Sequence, residues 1–242
     1  MPLHNFVQQP SCERAFLFQF MLMVQLSTLH FLQALQANNK KAWFDAHKAD
    51  YTVAREAFIH SVEQVLAALQ TFEPDLNNLT AKECIFRINR DVRFSKNKLP
   101  YKNNMSAYFN RAGKKGTGAG YYLHIEPGKS FAAAGIWMPE GAELSKIRQE
   151  IDYNLAEWKE IIGSSMFRKN FASGLETSEK LVRPPKGYEE SNPAIGFLKL
   201  KSFVASKPFA DEAILDKSFT KELAKTFRAA KPMNDFINRS LD

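Results

Sequence analysis

Cysteine is scarce in this 242-residue chain, which has only Cys12 and Cys84. Two cysteines cannot form the disulfide framework of a small secreted domain and suit a reducing compartment, so we expect a cytoplasmic protein. Glycine and proline are also few, at 11 residues each, which excludes collagen-like and low-complexity chains. Because 45% of the residues are hydrophobic, the chain has enough apolar side chains for a folded core.

Long apolar runs are missing as well. The strongly apolar stretch 15–24 has only half of the roughly 20 residues that a membrane span needs. It also lacks the basic flank and the small-residue cleavage site of a signal peptide, so we expect no membrane partner. Residues 1–22 do not share the patterning that follows, and Met21 and Met23 stand just before the first helix signal. We therefore expect an extension over 1–22 and a single domain over 23–242.

Familiar catalytic and metal-binding motifs are also absent. The glycines of 116–120 precede a predicted strand and lack the spacing of a dinucleotide-binding loop, and no GxxxxGK[ST] phosphate loop occurs. The five histidines show no HExxH spacing, two distant cysteines cannot build a zinc site, and there is no GxSxG elbow. We therefore expect no protein-built metal site and no cofactor. The sequence leaves open the oligomeric state and whether the protein is an enzyme.

The hydrophobic pattern predicts helices at both ends of the chain and strands between them. Apolar residues recur at helical spacing in eight segments: 28–37, 40–48, 51–70, 142–162, 164–172, 192–200, 217–229 and 232–241. Period-two alternation predicts four strands: 85–94, 105–111, 121–126 and 130–138. The last two would form a hairpin around Pro127-Gly128. Because neither set of helices can cover its apolar face alone, we expect one α+β domain, with a mainly antiparallel sheet covered by N- and C-terminal helices.

The net charge of +7 is concentrated in one segment. Residues 82–115 contain ten basic and two acidic residues, a net +8, so the rest of the chain carries −1. In the first predicted strand, Arg87, Asn89 and Arg93 alternate onto one face. Arg90 falls on the apolar face, which predicts either that the strand ends or bulges there or that Arg90 turns inward against a carboxylate.

This density of guanidinium and ammonium groups suits phosphate or carboxylate oxygens, and predicts a pocket for a small anion. The predicted ligand contacts are Arg87, Asn89, Arg90, Asp91, Arg93, Lys98, Tyr101, Lys102, Tyr122 and Trp137. Tyr122, His124 and Glu126 share one strand face, so His124 is a candidate general acid or base beside the arginines. The alternatives are a hydrogen-bonded structural histidine and lysines that form a solvated face.

Two other functions would use the same charges. In a nucleic-acid-binding module, Lys114 and Lys115 would extend the basic track while Tyr101, Tyr108 and Tyr121 stacked on bases. An interaction domain would dock an acidic partner on this face. A concave site with converging arginines favours a small ligand, whereas a flat basic stripe with exposed aromatics favours RNA or single-stranded DNA. We favour the small anion, because paired arginines with an interposed asparagine are typical of convergent recognition.

Several ordered motifs resemble one known family. They are FRINRDVRFSKNKLPYK at 86–102, YYLHIEPG at 121–128, GIWMP at 135–139 and PKGY at 185–188, with FL, NNK and WFD between 31 and 45. Over about residues 26–235, the chain resembles the family of uncharacterised, conserved hypothetical proteins numbered 2461 among the domains of unknown function. That family brings no established activity. The resemblance therefore implies one continuous domain, without residues 1–22, and no reaction.

Overall fold

The computed structural model describes residues 24–242, so the predicted extension over 1–22 lies outside the described residues. The helices are α1 (Leu26–Ala37), α2 (Lys41–Ala46), α3 (Lys48–Gln70), α4 (Ala81–Cys84), α5 (Gly141–Tyr153), α6 (Leu155–Gly163), α7 (Ser165–Asn170), α8 (Ile195–Leu198), α9 (Asp211–Leu215) and α10 (Phe219–Leu241). The strands are β1 (Met105–Phe109), β2 (Gly120–Ile125), β3 (Ser130–Ile136) and β4 (Phe203–Phe209). Within the described range, no helix is long and apolar enough to cross a membrane.

The strands form one antiparallel sheet in the order β1-β2-β3-β4. The predicted hairpin is confirmed as β2 and β3, with His124 opposite Phe131 and Gly120 opposite Gly135. In its turn, the Lys129 amide donates to the Glu126 carbonyl at 2.9 Å. Gly128 adopts φ +70° there, a conformation that glycine reaches without the steric cost of a Cβ.

One face of the sheet packs against helices and forms the core. Alternation in β2 buries Tyr121, Leu123 and Ile125 on this face. Helix α10 crosses β3, α3 lies beside α10, and α1 packs on α3. The predicted α+β class is confirmed: a central antiparallel sheet is covered by helices from both ends of the chain, in a single domain. We call the opposite face, which carries Tyr122 and His124, the outer face.

The C-terminal region has one helix where the pattern predicts two. Helix α10 continues through Pro232, which lacks the amide that would bond to the preceding turn. The helix nevertheless buries Leu223, Phe227, Met233 and Phe236 against the core. Each such side chain contributes about 1.5–3 kcal/mol when fully buried, which offsets the roughly 3 kcal/mol cost of the proline.

Strand β4 was not predicted, because its core-facing residues break the apolar alternation. Lys207 lies opposite Ala132, on the core face. Its ammonium group bonds to Glu222 Oε1 at 2.6 Å and to Thr226 Oγ1 at 3.3 Å, both on α10. Pro208 also lowers the strand propensity of this segment, although proline is tolerated in an edge strand such as this one.

Candidate functional site

The basic segment forms an arm along the edge of the sheet. Ile85 bridges to Ala107 of β1, after which the chain leaves the sheet and doubles back through an Asn89–Tyr101 bridge. The Lys102 amide donates to the Ile88 carbonyl at 2.9 Å, which closes the base of the arm. Residues 85–102, hereafter the arm, therefore project from β1 and return Lys102 to it.

The predicted strand over 85–94 is wrong. Among the described residues, no strand pairs with the arm beyond Asn89, and Phe94 is 94% exposed instead of buried. Of the two alternatives predicted for Arg90, the structure supports the end of strand pairing there, since the last bridge of this segment within residues 24–242 is Asn89–Tyr101; no carboxylate pairs with Arg90 in that range. Its guanidinium instead donates to the Leu99 carbonyl at 3.4 Å and to Ser95 Oγ at 3.5 Å, so it holds the two sides of the arm together.

Several predicted ligand contacts already have partners within the arm. Arg93 forms a two-pronged pair with Asp91, with Nε–Oδ1 at 3.0 Å and Nη2–Oδ2 at 2.7 Å. The Lys98 ammonium donates to the Val92 carbonyl at 3.0 Å. Tyr101 is buried, and its ring stacks on Phe44 with the ring centroids 4.1 Å apart. These groups are held by local structure and do not converge on one point.

On the outer face, Tyr122, His124 and Glu126 form a hydrogen-bonded row. Tyr122 Oη lies 3.1 Å from His124 Nδ1, and His124 Nε2 lies 3.0 Å from Glu126 Oε2. A neutral imidazole with its proton on Nε2 satisfies both bonds, since it donates to the carboxylate and accepts from the phenol. The row, hereafter the relay, is a continuous hydrogen-bonded path along which a proton can be passed, and Tyr122 is its phenol end.

Lys102 lies close enough to this relay for its charge to act on His124, and the exposed Arg87 lies close enough to act on Lys102. Lys102 Nζ is 5.2 Å from the centre of the Phe86 ring, a cation–π distance. Burial lowers the pKa of Lys102, and the charge of Arg87 lowers it further. Neither Lys102 nor Arg87 forms a salt bridge within residues 24–242. Two neighbouring cations without a paired carboxylate favour an anion between them.

The protonation of His124 makes stability depend on pH. Burial lowers its pKa, the charge of Lys102 adds to this, and Glu126 opposes both. The unfolded chain then binds more protons than the folded protein between about pH 6.5 and the lower folded pKa. The free energy of unfolding, measured from urea curves at several pH values, should fall as the pH drops through this window. His124→Asn should reduce the slope of this free energy against pH. Exchange of the exposed His30 for Asn is the control; equal slopes in all three proteins would contradict the prediction.

A groove of about 690 Å³ runs over the outer face next to the relay. Five aromatic side chains line it: Phe86, Tyr108, Tyr122, Phe131 and Trp137. Small residues of β3, including Ala133 and Gly135, leave room between the rings. Phe131 stacks on His124 with ring centroids 4.7 Å apart, and Phe86 contacts Lys102, so the relay and the lysine adjoin this groove.

The backbone is strained at the end of the groove that lies near Trp137. Met138 adopts φ +45°, which is uncommon for a residue other than glycine. Its amide is held by Ser202 Oγ at 2.9 Å. This turn leaves Trp137 62% exposed at the groove mouth. Strain of this kind is concentrated at ligand sites in proteins, where surrounding contacts hold it in place.

The structure thus divides the predicted site residues into groups. Tyr122 and Trp137 line the groove, while His124 and Lys102 adjoin it. Six others lie in the arm outside the groove lining, and Tyr101 is in the core; the six are Arg87, Asn89, Arg90, Asp91, Arg93 and Lys98. Most of the lining residues were not among the predicted ligand contacts, including Phe86, Tyr108, Phe131 and Glu176. Strand alternation alone indicates the face of Tyr108 and Phe131, but no local signal indicates Glu176.

The residues near the groove do not suit a protein-built metal site. Across residues 24–242, no group of three or more histidine, cysteine, aspartate or glutamate side chains is placed to hold a metal ion. His124 has both ring nitrogens in hydrogen bonds. The chemistry available at the outer face is therefore aromatic contact, charge and proton transfer.

The fold and the groove together define the class of this protein, which is a single α+β domain with an aromatic groove on the outer face of its sheet. Residues 27–236 match the model of the conserved hypothetical proteins of DUF2461, and the chain belongs to that family. The resemblance carried by the sequence motifs is thereby confirmed. No curated protein and no solved structure matches the chain.

Proposed function

We propose that this protein binds a small ligand that has a flat apolar body and a phosphate or carboxylate group. The body would lie in the groove, and the anion would contact Lys102 and Arg87. The observation that carries the proposal is the juxtaposition of an aromatic groove with a half-buried, unpaired lysine.

The size and lining of the groove support a small-molecule ligand. Its volume of about 690 Å³ falls within the roughly 300–1,000 Å³ of typical ligand pockets. Such pockets are mainly apolar and have a few polar groups that fix orientation. Here the rings of Phe86, Tyr122 and Phe131 offer apolar contact, and Lys102 stands at the edge beside Phe86.

The relay gives the bound ligand a partner for proton exchange. Tyr122 is the relay member that lines the groove, whereas His124 lies behind it. If the ligand is a substrate, Tyr122 Oη would give or take the proton, and His124 would act through Tyr122 as a positioning residue. This changes the role that the sequence suggested for His124, namely direct contact with the ligand.

Lys102→Ala tests the anion contact. Phenyl phosphate and inorganic phosphate, measured by thermal shift and titration calorimetry, are suitable probes. Because hydrogen bonds to charged groups contribute about 1.5–3 kcal/mol, we expect Lys102→Ala to weaken phenyl phosphate binding roughly 10- to 100-fold. Lys98→Ala is the matched control, since Lys98 bonds within the arm.

The outcomes of this test separate the possibilities. Phenyl phosphate should bind more tightly than inorganic phosphate, because only the former fills the groove. Absence of binding, or equal binding by wild type and Lys102→Ala, would overturn the proposal. If phenyl phosphate bound no more tightly than inorganic phosphate, the anion would lie outside the groove. This result would also overturn the proposal.

Nucleic-acid binding is the second candidate, and one observation favours it. Phe94 is 94% exposed on the arm with the Arg93 guanidinium 5.8 Å from its ring centre, a surface suited to stacking on a base. The tyrosines predicted to stack are less suitable, because Tyr101 and Tyr121 are buried. Oligonucleotide binding that is lost in Phe94→Ala and retained in Lys102→Ala would favour this candidate.

A further inference from the structure

The groove has different polar groups at its two ends. Lys102 and the relay lie near Phe131, at the start of β3, whereas Glu176 lines the groove near Val204 and Trp137, at the end of β3. Gly135, the partner of Val204, lies four positions after Phe131, which corresponds to about 13 Å along the strand. This length leaves room for a sugar between a base and a phosphate.

Glu176 is the carboxylate available to a ligand at the far end. Glu140 and Glu143 also line this end, but they form the capping box of α5, and Glu143 Oε2 accepts from the Glu140 amide at 3.1 Å. Glu176 is half-buried, and its side chain makes no hydrogen bond or ion pair within residues 24–242. Only its amide is engaged, with the Val204 carbonyl at 2.8 Å.

An ionised carboxylate only accepts hydrogen bonds, so the ligand must present donors there. The edge of guanine offers two parallel donors, N1–H and the 2-amino group, which match the two oxygens of a carboxylate as an arginine fork does. Adenine presents one amino group beside the N1 acceptor, whose lone pair would face the carboxylate. Hypoxanthine keeps N1–H and lacks the 2-amino group.

We propose that the ligand is a guanine nucleotide with a single 5′-phosphate. This rests on the function proposed above and identifies its substrate class. The base lies against the aromatic side chains with its donor edge toward Glu176, and the phosphate contacts Lys102 and Arg87. One phosphate fits better than three, because Glu126 is hydrogen-bonded to His124 close to Lys102 and would repel further negative charge.

Titration calorimetry of the full chain with GMP, IMP and AMP tests the assignment. GMP should bind about tenfold more tightly than IMP, and AMP should bind more weakly than IMP. Each change of base leaves an oxygen of the Glu176 carboxylate without its donor. Glu176→Gln should weaken GMP about tenfold and remove its advantage over IMP. Glu179→Gln, three residues along the same loop and outside the groove, should leave the ratio unchanged.

The two proposals fail in different ways. Equal binding of GMP and AMP, or a GMP to IMP ratio that survives Glu176→Gln, overturns the guanine assignment. If Lys102→Ala still weakens phenyl phosphate in that case, the anion site stands without the base specificity. If none of the nucleotides and no phenyl phosphate binds to the wild type, both proposals are wrong. Lys102→Ala should weaken GMP and IMP by the same factor, because their phosphates are identical.

Discussion

Replacement of Gly135 by alanine should destabilise the protein by about 4 kcal/mol, since backbone strain and overpacking each cost roughly 1–3 kcal/mol. Gly135 adopts φ +120°, where a residue with a Cβ is strained. A Cβ placed there would lie 1.9 Å from the Phe203 carbonyl oxygen, a backbone atom of the neighbouring strand. The strands β3 and β4 would have to separate, and Gly135 also lines the groove. In urea unfolding, the midpoint should fall by more than about 1 M.

Gly128→Ala separates the effect of conformation from that of the clash. Gly128 also has a positive φ, +70°, but nothing lies within 4 Å of the position of its Cβ. This substitution should cost only about 1 kcal/mol, the penalty of a left-handed residue. If the two variants lost equal stability, close approach of β4 would not be what requires glycine at 135.

The hairpin and the relay were predictable because their signals are local. The alternation of Tyr121 to Glu126 determines which side chains share a face, and Pro127-Gly128 determines where the chain turns. Helix positions follow from apolar spacing in the same way. The structure confirms the hairpin and the helices predicted over 28–37, 40–48 and 51–70 with small changes of boundary, but it divides 142–162 between α5 and α6 and joins the last two predicted helices in α10.

The arm and β4 depend on tertiary contacts that the sequence does not display. Alternation over 85–94 is the pattern of a strand, yet beyond Asn89 the arm has no neighbouring strand and Phe94 faces solvent. In β4, Lys207 occupies a core-facing position because Glu222 lies within reach on α10. A periodic pattern shows which residues share a face, but not whether another element covers that face.

The candidate site was only partly predictable, because its residues are also brought together by tertiary contacts. The concentration of charge directed attention to the segment that contains Lys102, but it could not distinguish that lysine from Arg93, which Asp91 neutralises two residues away. Only the return of the arm to β1 places Lys102 beside Phe86. Glu176 comes from a loop after α7, and its position at the groove follows from pairing with β4.

Asn39 holds the segment that contains Lys102, and its replacement by alanine should have the second-largest effect on stability. Its side chain is buried; Nδ2 donates to the Tyr101 carbonyl and to Asn103 Oδ1, both at 3.0 Å, while Oδ1 accepts from the Tyr101 amide at 3.1 Å. Asn39→Ala would leave the amide and the carbonyl of the buried Tyr101 without the partners that the Asn39 side chain gives them. Since each costs about 1–3 kcal/mol, we expect a loss of about 3 kcal/mol in urea unfolding.

The same variant should disturb the proposed anion site, because Lys102 lies between Tyr101 and Asn103, the two residues that the Asn39 side chain holds. Movement of Lys102 away from the relay would remove the charge that helps to lower the pKa of His124, so this pKa should rise in an NMR titration of the imidazole. Phenyl phosphate affinity should fall with it. Asn38→Ala is the matched control, since Asn38 is exposed and its side chain donates to the Ala34 carbonyl of the adjoining helix at 3.0 Å. A loss of stability without any change at His124 would show that Asn39 supports the fold but does not position Lys102.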